Sequence, residues 1–189
     1  MTRSLLADAA VRVFAERGYA RATIDQIAAE AGASRATFYL HFRTKADLLK
    51  DLLERAEVTF TDPYTGLAEA LRAQDRESVR EWILDAMRRW IGVEGVMRPV
   101  YEAANADAEI YREIFPDDLP GMAAMSEALL DAGVVPDAER AEVYTIILYS
   151  PLLHLFRKHL RAEPFDHDLA ARSIADAWVD VVAGINGPR

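Results

Sequence analysis

Cysteine is missing altogether from this 189-residue chain, so neither a disulfide nor a thiolate metal site can hold it, and its stability must come from packing. Missing too is any run of eighteen apolar residues that could span a bilayer. The first ten residues, which include Arg3 and Asp8, lack the apolar centre of a secretory signal. A membrane partner is therefore not expected, and a reducing, cytoplasmic setting fits. Catalytic signatures are equally scarce: there is no G-x-S-x-G, no H-E-x-x-H and no glycine-rich phosphate loop. Asp117 and Asp118 have no further carboxylate at metal-ligand spacing, and His154 and His159, five apart, face different sides of a helix. No enzyme, metal site or cofactor is expected. Apolar–polar alternation bounded by hairpin turns is also absent, which leaves an all-α fold.

What is present is a globular composition, 51% hydrophobic and 28% charged, long enough for one domain or for a small domain joined to a larger one. The net charge of −9 is unevenly spread. Residues 1–56 carry nine Lys or Arg against seven Asp or Glu, whereas residues 57–189 carry thirteen against twenty-four. The basic excess sharpens between Arg35 and Lys50, where Arg35, Arg43, Lys45 and Lys50 face only Asp47. An acidic remainder is repelled by phosphate and would hold such a basic end toward a polyanion.

The chain is organised around Thr23 to Lys45. Thr23 and Gln26 form a capping box, and Ile24, Ile27, Ala28 and Ala31 recur at helical spacing until Gly32 supplies the left-handed residue that ends a helix. Ser34 is a second N-cap, opening about two turns from Arg35 to Phe42, and Thr44 with Asp47 caps a third helix. Helix, glycine turn, helix is the helix-turn-helix pattern. Phe38 and Phe42 are four apart and project together, so they anchor the second helix to the core and turn Ala36, Thr37 and Leu40 outward. A DNA major groove gives that face a use, because Arg35 can read guanine and Thr37 or Ala36 can touch a thymine methyl. Tyr39, His41, Arg43 and Lys45 are donors suited to phosphates, and the helix N-terminus at Thr44 is a further anion site. Taken singly, each of these residues could equally be ordinary surface, and Tyr39 partly core.

Phe14, Gly18, Tyr19, Thr23, Ile27, Ala28, Gly32, Ser34, Thr37, Tyr39, His41, Phe42, Lys45 and Leu48 match, in order and spacing, the N-terminal domain of the tetracycline-repressor (TetR) family. The chain resembles that family over roughly its first fifty residues. It departs at Ala33, Ala36 and Phe38, where the family usually has Val, Gly or another small residue, and Leu; these changes touch sequence preference. The resemblance implies a helix-turn-helix domain over residues 1–48, with Thr23, Ser34, Arg35, Ala36, Thr37, Tyr39, Leu40, His41, Arg43 and Lys45 on double-stranded DNA. A continuous helix would join it to an effector-binding and dimerisation domain over residues 49–189.

The rest of the chain is compatible with that plan. Leu5, Leu6, Ala9, Ala10, Val13 and Phe14 form one stripe of a first helix closed by Gly18. Leu48, Leu49, Leu52, Leu53 and Ala56 extend the helix from Thr44 with no breaker. Asp62-Pro63 reads as a helix start, and helices are expected over 67–71, 79–91, 96–105, 110–115, 119–132, 138–161 and 168–183, with a break at Gly92 to Gly95. Between Val143 and Phe156 nearly every face is apolar, so this helix needs burial all round. A second copy of the chain supplies that most simply, through Val143, Ile147 and Leu153 together with Leu169, Ile174, Trp178 and Val181 of the last helix, as in TetR-like dimers. Pro151 should kink the longer helix and free a carbonyl near Ile147. Trp82, Trp90, Met97, Tyr101, Tyr111, Met122, Met125, Tyr149 and His154 either line an apolar pocket or are plain core. The resulting expectation is a homodimeric, effector-responsive repressor released from a palindromic operator by a small apolar or amphipathic molecule. The alternative is a helical carrier or interaction protein whose first fifty residues merely cap the bundle.

Overall fold

The structure, a computed structural model, describes the backbone of residues 3–61, 64–115 and 121–186. Every regular element among the described residues is a helix, in line with the all-α expectation: α1 (Arg3–Arg17), α2 (Ile24–Glu30), α3 (Arg35–Tyr39), α4 (Lys45–Thr61), α5 (Tyr64–Arg72), α6 (Arg76–Ala106), α7 (Ala108–Ile114), α8 (Met122–Asp131), α9 (Ala138–Leu160) and α10 (His167–Asn186). Asp62-Pro63 lies outside the described residues, as do Asp117 and Asp118. The chain folds as two compact units. One takes Met1–Val58 and Val93–Asp117, the other Thr59–Gly92 and Asp118–Arg189.

In the first unit α1 packs on α2, and α2 on α3. Leu6, Ala7, Ala9, Ala10, Val13 and Phe14 are buried along one side of α1, whereas Leu5, expected in that stripe, is 47% exposed and Ala7 takes its place. α2 opens on the capping box, with Gln26 N donating to Thr23 Oγ1 at 3.2 Å and Thr23 N donating to Gln26 Oε1 at 3.0 Å. It closes on Gly32 at φ +66°, where Gly32 N bonds Ala29 O and Ala33 N bonds Ala28 O. That pair of reversed bonds satisfies carbonyls the helix end would otherwise orphan, and the left-handed backbone favours glycine. Ser34 Oγ accepts from Thr37 N at 3.1 Å to start α3. α3 is shorter than expected, one turn ending at Tyr39 in place of two ending at Phe42, although Phe42 N still bonds Phe38 O. A five-residue helix cannot stand alone. Phe38 (0% exposed) and Phe42 (2%) hold it, their rings 5.7 Å apart.

α4 runs unbroken across residue 48, with Leu48, Leu49, Leu52, Leu53 and Ala56 buried. The nearly buried Asp51 carboxylate pairs with Arg3 of α1 and Arg55 of α4, each at 2.7 Å. α6 corrects the expected break at Gly92 to Gly95: it continues through both glycines and through Pro99. Gly95 faces the Val11 side chain, where an added Cβ would stand 3.4 Å from Val11 Cγ1, at ordinary van der Waals contact.

In the second unit α8 packs on α9 and α5, and α5 on α10. Arg76 bonds the Asp176 carbonyl and pairs with Asp176 and Asp180, tying α6 to α10. Ala141, Thr145, Leu148, Leu152, Phe156 and Leu160 form the buried stripe of α9, which stays helical through Pro151. Ser150 Oγ donates to Ile146 O at 2.6 Å, next to the Ile147 carbonyl that proline leaves without its helical donor.

Truncating Phe38 to Ala should lower the free energy of unfolding by about 3–5 kcal/mol. Leu40→Ala, on a side chain 82% exposed, should change it by less than about 0.5 kcal/mol. Urea titration followed by circular dichroism measures both.

Candidate nucleic-acid interface

With Phe38 and Phe42 directed inward, the rest of α3 and its flanks face solvent. Leu40 is 82% exposed and Tyr39 45%; Ser34, Arg35, Ala36 and Arg43 are exposed, and Thr37 and His41 partly so. A leucine side chain standing this far out at a helix end gains nothing from folding. The hydroxyls of Ser34 and Thr37 sit 2.9 Å apart, so the N-cap also fixes the Thr37 side chain at the first turn. Thr23, exposed at the start of α2, belongs to the neighbouring edge of the same unit.

Arg35 is placed by two partners. Its Nη1 donates to Asp25 Oδ2 at 2.9 Å and its Nη2 to Tyr39 Oη at 3.2 Å, with the guanidinium carbon 5.5 Å from the Tyr39 ring centroid. The Asp25 hydrogen bond, with the Asp25 charge and Tyr39, raises the guanidinium above its ordinary pKa. Asp25 was not legible as part of the site, because its pairing with Arg35 runs across the glycine turn between two helices.

Two sequence expectations are corrected here. Lys45, read as a phosphate donor, turns inward: Nζ donates to Tyr19 O and Ala22 O, both at 2.7 Å, and lies 4.3 Å from the Tyr19 ring centroid. Two carbonyls of the loop between α1 and α2 lack helical donors, and a long ammonium side chain reaches both. Partial burial lowers the Lys45 pKa from the ordinary lysine value. The loop is held from its other side by Glu102 of α6, whose carboxylate accepts from Tyr19 N at 3.0 Å, next to Gly18 at φ +74°. The anion site expected at the N-terminus of α4 is likewise occupied from within the chain. Asp47 Oδ2 accepts from Arg43 N at 2.9 Å, and Asp47 N donates to Thr44 Oγ1 at 3.0 Å.

The residues expected to bind a ligand divide between the two units. Met97, Tyr101 and Tyr111 lie in the first; Met97 is buried, Tyr101 and Tyr111 stand 6.3 and 5.4 Å from Phe115, and Tyr111 is 42% exposed. In the second, Trp82 lies 5.6 Å from Tyr64 and 6.4 Å from Trp178, and Tyr149 bonds the Tyr64 hydroxyl. Burial pushes the Tyr64 phenol up. Trp90 packs 5.3 Å from Phe156, Met125 is buried and Met122 partly so. His154 is exposed, which removes it from any buried pocket. A recess of about 440 Å³ between α5 and α8 is lined by Thr65, Glu69, Arg72, Ala128, Asp131 and Ala132, none of them among the residues expected to bind a ligand.

Of the expected dimer residues, Val143, Ile147 and Leu169 are about half exposed, and Leu153, Ile174 and Val181 are partly exposed. Trp178 is the exception. It is 2% exposed within its own chain, packed beside Trp82, and cannot face a partner. Ile146, 50% exposed, joins the outward apolar set of α9.

Residues 6–52 match the family described as bacterial regulatory proteins, tetR family. Over 74 residues the chain is 39% identical to the HTH-type transcriptional regulator TtgR of Pseudomonas putida, an alignment covering 39% of this chain and 33% of that protein. Residues 6–52 thus carry the N-terminal domain of the TetR family. The aligned part spans about a third of TtgR. A longer, weaker similarity, 29% over 133 residues, links this chain to the transcriptional activator FasR of Mycolicibacterium smegmatis, covering 69% of this chain and 54% of FasR. The likeness of fold reaches beyond that domain: SmeT, the repressor of the Stenotrophomonas maltophilia multidrug efflux pump SmeDEF, superposes with a TM-score of 0.66 at 23% identity, covering 96% of this chain and 90% of SmeT.

Replacing Lys45 with Met should leave the Tyr19 and Ala22 carbonyls without donors and lower stability by about 1–3 kcal/mol. Differential scanning calorimetry reads this as a lower Tm, and an unchanged Tm would show the ammonium to be a surface group.

Proposed function

We propose that this chain is a homodimeric transcriptional repressor of the TetR family that places α3 of each subunit in a DNA major groove and leaves its operator when an effector binds. The observation that carries the reading is the two-sided α3: Phe38 wholly buried, Leu40 82% exposed. Arg35, Ala36, Thr37 and Leu40 meet base edges, Tyr39, His41 and Arg43 meet phosphates, and Thr23 approaches the backbone from the start of α2. Lys45 serves the site indirectly by fixing the loop ahead of Thr23.

A second copy covers the exposed apolar side chains Val143, Ile146 and Ile147 of α9 and Leu169 of α10. Twofold symmetry then places two reading heads about 34–36 Å apart and calls for a near-palindromic operator. The effector is apolar or amphipathic. Supporting that class, SmeT is known in complex with triclosan and the FadR regulator of Bacillus subtilis in complex with stearoyl-CoA, both of this fold. α4 and α6 each contribute residues to both compact units, which gives an effector a covalent route to the reading heads.

Selection of bound sequences from a random duplex library, with light scattering on the free protein, tests the whole reading. A palindromic consensus and a mass twice the 21.1 kDa of one chain are expected. A monomer, or a library that yields no consensus, overturns it in favour of a helical carrier. Compounds of the aromatic and long-chain acyl classes should include one that weakens operator binding by about 5- to 150-fold. Arg35→Ala should cost about 1–3 kcal/mol on the operator and relax preference at one position per half-site, measured by fluorescence anisotropy. Equal weakening on every sequence would assign Arg35 to a phosphate.

A further inference from the structure

Asp25 is exposed on the first turn of α2, its side chain 63% accessible, and it points at the one arginine of α3. An ion pair this exposed adds little to folding stability, so its value to the fold does not explain it. What it changes is the chemistry of Arg35. A free guanidinium binds any phosphate oxygen and releases counterions wherever it lands. Arg35 instead has two of its five N–H groups committed, one to the Asp25 carboxylate and one to the Tyr39 hydroxyl, anchored on two different helices.

We propose that Asp25 is a selectivity residue that holds Arg35 for reading a base and penalises its use on phosphate. This rests on the DNA-binding reading above. A guanine edge is neutral and offers two acceptors in one plane, so the remaining N–H groups can engage it while the pair with Asp25 stays intact. A phosphate carries a full negative charge. To take Arg35 it must approach the Asp25 carboxylate or pull the guanidinium away from it, and in either case the like-charge cost falls on the non-specific complex. Because Arg35 is already neutralised, it also contributes less to counterion release on arbitrary sequences. Asp25 therefore lowers non-specific binding more than operator binding, and acts through Arg35.

The test compares wild type, Asp25→Asn, Arg35→Ala and the double variant. Three probes are used: a random-sequence duplex, the duplex selected from the library, and a heparin column as a polyanion without base edges. Asp25→Asn should tighten random-duplex binding by about 3- to 10-fold and steepen its salt slope by about one. It should lower the ratio of selected to random affinity and delay heparin elution to higher salt. Arg35→Ala should abolish each of these gains. The same gain in the Arg35→Ala background would make Asp25 a simple repulsive charge and overturn the proposal, and so would no gain in either background. If no sequence is selected yet the heparin shift appears only with Arg35 present, the operator reading fails while the restraint on Arg35 stands.

Discussion

The burial of two benzyl groups, Phe38 on α3 and Phe42 just beyond its end, is the constraint from which the remaining geometry of the first unit follows. A helix of five residues has too few internal hydrogen bonds to persist in water, so its orientation is whatever its anchors impose. Phe38 and Phe42 impose it by filling the core beneath α3, and the guanidinium of Arg3 closes over the Phe42 ring at 4.7 Å. Once those rings are in, α3 has no freedom to hide Ala36 or Leu40, and the caps at Ser34 and Thr44 fix where it starts and where the next helix takes over. The outward face is a consequence of the inward one.

A second layer of restraint surrounds the loop between α1 and α2. Tyr19 and Ala22 give their carbonyls to Lys45 of α4, and Tyr19 gives its amide to Glu102 of α6, so residues 26 and 83 positions away from Tyr19 close the same short segment. A loop whose backbone groups are satisfied by charged side chains from two helices is positioned far better than one left to water. It leads directly into the capping box at Thr23. The edge of the candidate interface on α2 thus inherits its placement from α4 and α6.

Electrostatics follow the same pattern of internal commitment. Residues 57–189 carry the acidic excess, while the basic residues near α3 are few and several are already committed. Asp47 occupies the first turn of α4, Asp25 takes Arg35, and Lys45 is turned to carbonyl oxygens. Recognition by such a surface depends on which donors remain free and how rigidly they are held, and much less on gross positive charge.

Local signals carried through to the structure almost unchanged. The Thr23 capping box, the left-handed glycines at 18 and 32, the Ser34 cap and the four-residue spacing of Phe38 and Phe42 act between residues close in sequence, so their chemistry can be read from the order alone. Residue order sufficed to give the helical character of the described elements, a glycine turn between two short helices, and the buried side of α3. The folded chain settled the rest: that α6 runs unbroken through Gly92 and Gly95, that Trp178 is enclosed in its own chain, that His154 is exposed, and that Lys45 and Arg35 already have partners. Those outcomes depend on which distant groups meet in space, and residue order encodes such meetings only through the whole folded chain.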